Sequence, residues 1–402
     1  MTKAIITVGL GWGDEGKGST VDYLVRKCNS KLVVRYCGGS QAGHNVVLPD
    51  GRKHCFSQFG SGTLAGAKTY LGKHVIIHPS NLRNEARHLK ELGIDNPASL
   101  LTINKNALVS TPYHEAINRA KEISRSDVLV NTHGRKDDLR HGSCGHGIGE
   151  TRRYWKDYGS DAVFVGDLFG SKSVLSDKLE LMRQRLMDKN YKHAYLYDGG
   201  VIGKDGPYNP VWDEFDPIFT EKMSVVVNDL VKDQYFKYSV DSNGIPEIWK
   251  YEGTPIIFEG AQGVLLDEWY GFFPYVTHST LTPRFAIETC DEAKIDDYYV
   301  LGISRSYMTR HGHGPFPTYS EELTEQFKDD GNPQNQWQGS LRCGKLDMGL
   351  LRYSVRCCDG IDGIAVTCLD QIKDHELSEL APVVLESYGP TYLDRKEVGV
   401  LN

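Results

Sequence analysis

No run of this chain is apolar for long enough to span a bilayer, which takes about 20 residues, so a membrane protein is not expected. The first residues pass almost directly into Ala4-Ile5-Ile6-Thr7-Val8, with no leader pattern, so secretion is not expected either. Positive charge is in short supply: 46 Lys and Arg stand against 53 Asp and Glu, a net of −7 with the 14 His neutral. That balance argues against a nucleic-acid or anionic-membrane surface. The nine cysteines are odd in number, scattered, and form no C-x-x-C pair. Neither a metal nor a disulfide reading fits, which leaves buried thiols in a reducing compartment and a cytoplasmic protein as the expectation. Internal repeats and low-complexity linkers are missing as well.

What is present suits a large folded core: 402 residues, 40% apolar and 25% charged. Short β-branched runs recur at Ala4–Val8, Lys31–Arg35, His74–Ile77, Ala162–Val165, Pro255–Glu259, Tyr298–Ile303 and Gly363–Leu369. Helix-like stretches lie between several of them, at Ser80–Leu92, Ser173–Met187 and Lys222–Lys232. Alternation of this kind predicts an α/β fold with a large, mainly parallel central sheet flanked by helices. The polar stretches 202–217 and 319–338 read as loop excursions from a single domain, 1–402.

Several of the strands end in Gly-rich turns, where α/β folds place ligands. The first turn, G-L-G-W-G-D-E-G-K-G, precedes a predicted helix, Ser19–Lys27, and is nearly a phosphate-binding loop. Gly11, Gly13, Gly16 and Gly18 allow close backbone approach to an anion, and Lys17 adds a point charge. Two features are out of place. Gly18 stands where a hydroxyl belongs, and Asp14 puts a carboxylate inside a phosphate loop. Asp14 repels phosphates unless Mg²⁺ neutralises the contact or the carboxylate handles a proton.

The second turn, YCGGSQAGHNVV at 36–47, holds a lone histidine, His44, able to stabilise a developing oxyanion. The third, HGSCGHGIGETRRY at 141–154, is another anion-friendly turn followed by Arg152 and Arg153, or equally a surface loop with two solvated arginines. The fourth, FEGAQGVLLDEWYGFFPYVTHST at 258–280, presents Gln262, whose amide suits a purine or pyrimidine edge. TRHGHGPFPT (309–318), GSLRCGKLD (339–347) and TCLD (367–370) are weak taken alone, and Arg310 and Arg342 read there as surface charges.

Taken in order, G-W-G-D-E-G-K-G, G-G-x-x-A-G-H, F-E-G-A-Q-G-x-L-L-D, P-Y-V-T and G-P-F-P-T resemble the adenylosuccinate synthetases, across roughly residues 5 to 370. The resemblance implies one α/β domain related to phosphate-loop NTPases and a homodimer. It implies a ligase that joins L-aspartate to C6 of IMP with GTP as phosphoryl donor. Asp14 then takes the N1 proton of the purine and helps bind Mg²⁺ together with the Gly43 carbonyl, and His44 stabilises the transferring phosphoryl group. Gly13, Glu15, Gly16, Lys17 and Gly18 would hold donor phosphates, with Thr367, Asp370, Gly389 and Pro390 around the donor base. Ser40, Gln41, Ser143, Cys144, Arg152, Gln262 and Thr277 would face the purine nucleotide. Ser340, Leu341 and Arg342 match the loop that binds aspartate.

The departures from that pattern are specific. The usual G-G-H-N-A-G-H is G-G-S-Q-A-G-H here, T-T-G-R-x-R-R shrinks to G-S-L-R, T-K-L-D is T-C-L-D, and S-T-G-P is S-Y-G-P. These changes resemble the bacteriophage N6-succino-2-aminoadenylate synthases, which ligate aspartate to dGMP, usually with ATP, for 2-aminoadenine DNA. Such synthases often carry a small hydroxyl residue where this chain keeps Asp14. The expectation is a dGMP–aspartate ligase using ATP and Mg²⁺, in which Ser40 and Gln41 meet the 2-amino group. The alternatives are a divergent adenylosuccinate synthetase using IMP and GTP, and an inactive nucleotide-binding regulator. Retention of Asp14 and His44 argues against the last.

Overall fold

A computed structural model of the chain describes residues 4–127, 141–197, 253–327 and 340–400. Its strands run in chain order as β1 (Ala4–Gly9), β2 (Leu32–Arg35), β3 (His44–Val47), β4 (Lys53–Phe56), β5 (Lys68–Leu71), β6 (Ile76–Ile77), β7 (Leu101–Ile103) and β8 (Leu108–Val109). They continue as β9 (Ile256–Glu259), β10 (Tyr298–Arg305), β11 (Met308–His311), β12 (Leu341–Gly344), β13 (Gly363–Thr367), β14 (Val383–Ser387) and β15 (Arg395–Glu397). Nine of them form one sheet in the order β15-β14-β13-β10-β1-β9-β2-β5-β7. Every pair in it is parallel except β14 with β15.

β1 shows how the sequence produces this sheet. All six of its residues are buried, and alternate side chains go to opposite faces. Ala4, Ile6 and Val8 join a cluster with Val34 and Phe258. Ile5 joins another with Val21, Leu24 and Val25 of helix α1 (Lys17–Cys28). Each fully buried aliphatic side chain contributes about 1.5–3 kcal/mol, so α1 is held by the face it turns to the sheet. The neighbours of β1, β9 and β10, lie about 250 or more residues away in sequence, and their carboxyl ends come level with the Gly-rich loop. Crevices of this kind, between strands joined in opposite directions, are where open α/β sheets bind ligands.

The runs at Ala4–Val8, Lys31–Arg35, Pro255–Glu259 and Tyr298–Ile303 are strands, and Ser80–Leu92 and Ser173–Met187 lie in helices Pro79–Glu91 and Lys172–Tyr197. Gly363–Leu369 ends early, at Thr367, because Cys368 turns into the left-handed region at φ 63°. His74–Ile77 narrows to Ile76–Ile77, paired with β8 outside the main sheet. Ala162–Val165 is not a strand: only Phe164 makes an isolated bridge to Leu108, and the chain turns at once into the short helix Val165–Phe169. Its apolar side chains fill a core cluster instead of marking a ladder. The 319–338 stretch begins with a helix, Glu321–Gln326, capped by the Ser320 hydroxyl. Lys222–Lys232 and 202–217 lie outside the described residues. Among the described residues no helix is long and apolar enough to cross a membrane.

Candidate active site

The loop between β1 and α1 is held by its own side chains. Glu15 Oε1 accepts the N–H groups of Gly11 (3.0 Å) and Gly13 (2.8 Å), and its other oxygen takes the Lys17 ammonium. Both side chains are buried. Glu15 therefore ties the loop together and pairs the very lysine expected to meet a phosphate. The helix starts at Lys17 from a left-handed Gly16 with no side-chain cap, so its first N–H groups keep their affinity for an anion. Gly18 has a steric explanation: a Cβ there would come within 2.8 Å of the His44 Cβ.

His44 opens β3 and is buried against the end of β9. Its Nδ1 lies 2.5 Å from Glu259 Oε1. Glu259 is fully buried and also accepts the Ser61 N–H (2.9 Å) and hydroxyl (2.5 Å). Burial pushes the His44 imidazole down to about 4, helped by Arg35, while Glu259 opposes the shift. Burial acts to raise the Glu259 carboxyl, but Arg35, His44 and Ser61 outweigh it and keep the group ionised. The resting pair is thus a neutral imidazole donating Nδ1–H to a carboxylate. Among the described residues the buried His44 Nε2 has no partner. An anion forming beside it can be met by an imidazolium that Glu259 already stabilises. Glu259 went unassigned in the sequence. The one signal for it was a carboxylate closing the apolar run Ile-Ile-Phe-Glu.

Lys17 and His44 border a cavity of about 410 Å³. Of the residues singled out from sequence, Gly13, Asp14, Lys17, Gln41, Gly43, His44, Ser143, Cys144, Gln262 and Thr277 line it. Gln41 and Gln262 are the informative pair, because both polar atoms of each buried carboxamide lack a partner among the described residues. Unpaired buried amides cost about 1–3 kcal/mol each, which marks a place for a ligand with matching donors and acceptors. Ser143 is spent on shaping the turn: its hydroxyl donates to Asn118 Oδ1 (2.7 Å) and accepts the Gly145 N–H (3.2 Å). Burial pushes the Cys144 thiol up to about 11, so it is no nucleophile. Thr277 is fixed by its N–H to the Leu266 carbonyl (2.7 Å).

Other expected residues face elsewhere. Ser40 bonds His146 Nδ1 at 3.1 Å and is not part of the cavity wall. Arg152 lies over the Trp155 ring (4.6 Å) and beside Glu268 (3.6 Å). Arg153 takes the cavity position and contacts Glu150 (2.5 Å) and His278 (3.1 Å). Ser340, Leu341 and Arg342 also lie off the cavity wall; Arg342 Nη2 donates to the carbonyls of Gly312 (2.6 Å) and Gly314 (3.0 Å). Arg310, read as a surface charge, is buried instead, lines the cavity and sits 5.1 Å from the Trp12 ring centroid.

The residues expected around the donor follow the carboxyl ends of β13 and β14. Thr367 Oγ1 donates to the Glu15 carbonyl (2.9 Å), and its side chain packs beneath Gly16. Asp370 is exposed. Gly389 and Pro390 follow β14, whose Ser387 carbonyl accepts the Leu369 N–H (3.0 Å). Of the four residues expected around a donor nucleotide, Thr367 contacts the phosphate loop, and the strand that precedes Gly389 and Pro390 is bonded to the turn that follows it.

Among the described residues, no three His, Cys, Asp or Glu side chains gather as metal ligands. Asp14 and Gly43 bring one carboxylate and one backbone carbonyl to the same cavity. An incomplete, oxygen-only donor set fits Mg²⁺, which usually keeps waters and phosphate oxygens as its remaining ligands.

The family model for adenylosuccinate synthetase matches residues 6–381. Adenylosuccinate synthetases of Bdellovibrio bacteriovorus and Xylella fastidiosa are 32% and 33% identical, each over 92% of this chain and 78% of the relative. The fold is similar to a fully ligated adenylosuccinate synthetase from Plasmodium falciparum (TM-score 0.73, 20% identity, 98% of this chain and 99% of that one). It is also similar to the cyanophage S-2L succinoaminodeoxyadenylate synthetase bound to dGMP and dATP (TM-score 0.61, 18% identity, 99% and 95%). The chain belongs to the adenylosuccinate synthetase family of carbon–nitrogen ligases.

Proposed function

We propose that this chain joins L-aspartate to C6 of a 6-oxopurine nucleoside 5′-monophosphate. The observation that carries the reading is the shared cavity of Asp14, Lys17 and His44 with two unpaired carboxamides, Gln41 and Gln262. The amides hold the purine edge, and Asp14 accepts its N1 proton. Electron density moves to O6, which attacks the γ-phosphorus while the bond to the β–γ bridging oxygen breaks. His44, backed by Glu259, faces the charge that develops. Lys17 and the start of α1 hold the donor phosphates. The aspartate amine then adds at C6, loses a proton and expels phosphate. Mg²⁺, held by Asp14 and the Gly43 carbonyl, would supply charge neutralisation at the transferred group. The transfer is mainly positioning and electrostatics. Homodimerisation belongs to the same proposal.

Two purines compete for the site. Sequence kinship supports IMP, since the relatives above are adenylosuccinate synthetases. The departures within the site favour dGMP with ATP. Arg342 lies off the cavity wall with its Nη2 held by two carbonyls, which favours a site that does not use it to meet a ribose 2′-hydroxyl. Gln41 Oε1, without a partner among the described residues, is free to accept from a 2-amino group. Ser40 adds nothing to that case, because it is bonded to His146. A product assay with aspartate and Mg²⁺, crossing dGMP, GMP and IMP with ATP and GTP, tests both. A higher kcat/KM for dGMP supports the deoxy, 2-amino reading, and a higher value for IMP makes the chain an ordinary adenylosuccinate synthetase. No C6 adduct with any purine removes the ligase reading.

A further inference from the structure

We infer that His311 is a positioning residue for Asp14. It lies one residue past Arg310 in TRHGHGPFPT and carried no assignment in the sequence. In the fold, His311 Nε2 is 3.5 Å from Asp14 Oδ2, and both residues border the cavity.

The approach is built in from both sides. Thr309 Oγ1 donates to the Gly13 carbonyl at 3.1 Å, and Arg305 Nε donates to the Asp14 carbonyl. The peptide groups flanking Asp14 are therefore held by the same segment that carries His311. Beyond His311, the Gly312 N–H donates to Ser340 (3.1 Å), and the Gly312 carbonyl accepts from Arg342 (2.6 Å). The imidazole is thus presented to the carboxylate from a backbone fixed on either side.

Asp14 needs such a partner. Its left-handed backbone (φ 61°) aims the side chain but leaves the carboxylate plane free to rotate. An N–H on one lone pair of Oδ2 fixes that plane and leaves Oδ1 for the substrate and the other Oδ2 lone pair for Mg²⁺. A separation of 3.5 Å is long for a finished hydrogen bond, and catalytic contacts of this kind tighten when substrate binds. Among the described residues His311 Nδ1 is buried with no hydrogen-bond partner, so no hydrogen bond among them draws the ring another way.

The inference rests on Asp14 as the acceptor of the N1 proton, and the test separates the two. His311→Leu removes the donor and keeps bulk, whereas His311→Gln keeps an N–H. A hydrogen bond to a charged group is worth roughly 10–100-fold in rate. His311→Leu is expected to lose that much kcat while both substrates' KM values stay within about twofold. Scrambling of the β–γ bridging oxygen of the donor, measured without aspartate, should slow in step, and His311→Gln should recover most of both rates. Wild-type kcat in His311→Leu, a His311→Gln as poor as His311→Leu, or a loss confined to the aspartate KM would each overturn the role. Asp14→Ala, run alongside, is expected to be inactive. If it turns over normally, the reading of Asp14 falls first and that of His311 with it.

Discussion

His44 rests against Gly18: a Cβ on residue 18 would lie 2.8 Å from the His44 Cβ and 2.9 Å from its carbonyl carbon. The missing hydroxyl of the phosphate loop is therefore the space that β3 needs to bring its histidine over the start of α1. Restoring the hydroxyl with Gly18→Ser should harm the enzyme. Overpacking of this kind costs about 1–3 kcal/mol of stability, and a displacement of 1 Å can cost about 100-fold in rate. Denaturant unfolding and kcat measured on the same preparation check both, and a Gly18→Ser enzyme with wild-type kcat contradicts the packing argument.

Glu259→Gln is expected to leave a folded protein with kcat lower by roughly 10²–10⁴, the span seen when acid–base or electrostatic support is lost. The amide keeps the volume and can still accept from Nδ1, but it removes the charge that stabilises an imidazolium at His44. The KM for the purine nucleotide should change little. A loss in KM alone would place Glu259 in substrate binding instead.

Stability should fall as pH drops from about 6.5 toward 4. Burial holds His44, His114, His146 and His278 down to about 4 in the folded chain. Above the unfolded value near 6.5 neither state binds these protons, so the four groups contribute no pH dependence there. Between 6.5 and 4 the unfolded chain takes up protons that the folded chain refuses, and each group costs up to about 1.4 kcal/mol per pH unit. Glu150 and Glu259, held down to about 2, act only below this window, where protonation removes their stabilisation as well. Unfolding free energy measured at several pH values should bend downward below 6.5, and a flat profile to pH 5 would show that these histidines are solvated.

Substrate choice should follow Gln41 and ignore Ser40. Ser40→Ala loses a bond to His146, so the dGMP-to-IMP ratio of kcat/KM should stay near its wild-type value. Gln41→Ala removes the unpaired carboxamide. If that amide reads the 2-amino group, the ratio falls by about tenfold or more, as expected for a buried polar contact. A ratio that moves with Ser40 and not with Gln41 reverses the assignment.

The phosphate loop was legible in sequence because its glycines, Lys17 and Asp14 each bring their own chemistry at fixed spacing. Glu259 was not, since it sits 215 residues from His44 and nothing local links them. The family pattern puts Ser40 and Gln41 together beside the base, in place of the His and Asn of G-G-H-N-A-G-H, yet neighbouring side chains in extended or turning backbone diverge. Arg152 and Arg153 show the same limit. Successive residues on the helix Ile148–Tyr158 project about 100° apart, so only one of the two can face the cavity, and sequence order does not say which. His311 was hidden for a different reason: its role depends on how β11 docks against the loop. The apolar strands next to β1 were clear from composition, while the three-residue edge strands Leu101–Ile103 and Arg395–Glu397 carry too few residues to show a period.

The proposed donor site supplies the last prediction. Thr367 joins the phosphate loop to the turn that carries Cys368 and Asp370. In a guanine-selective site of this family, a lysine at the position of Cys368 lays its stem on the ring beside the carboxylate that reads N1–H and the 2-amino group. Cys368 is too short for that, and its left-handed backbone (φ 63°) fixes where any replacement starts. ATP should therefore serve at least as well as GTP in the wild-type protein. Cys368→Lys should raise the GTP-to-ATP ratio of kcat/KM by about fivefold, in keeping with about 1 kcal/mol for a cation over an aromatic face. Asp370→Asn should cancel that gain, because the added lysine selects guanine only while the carboxylate reads its edge. Initial rates with each donor at saturating purine and aspartate give both ratios. A wild-type enzyme that turns over GTP alone, or a Cys368→Lys ratio that does not move, would show that the donor base is read elsewhere on the β13–β14 edge.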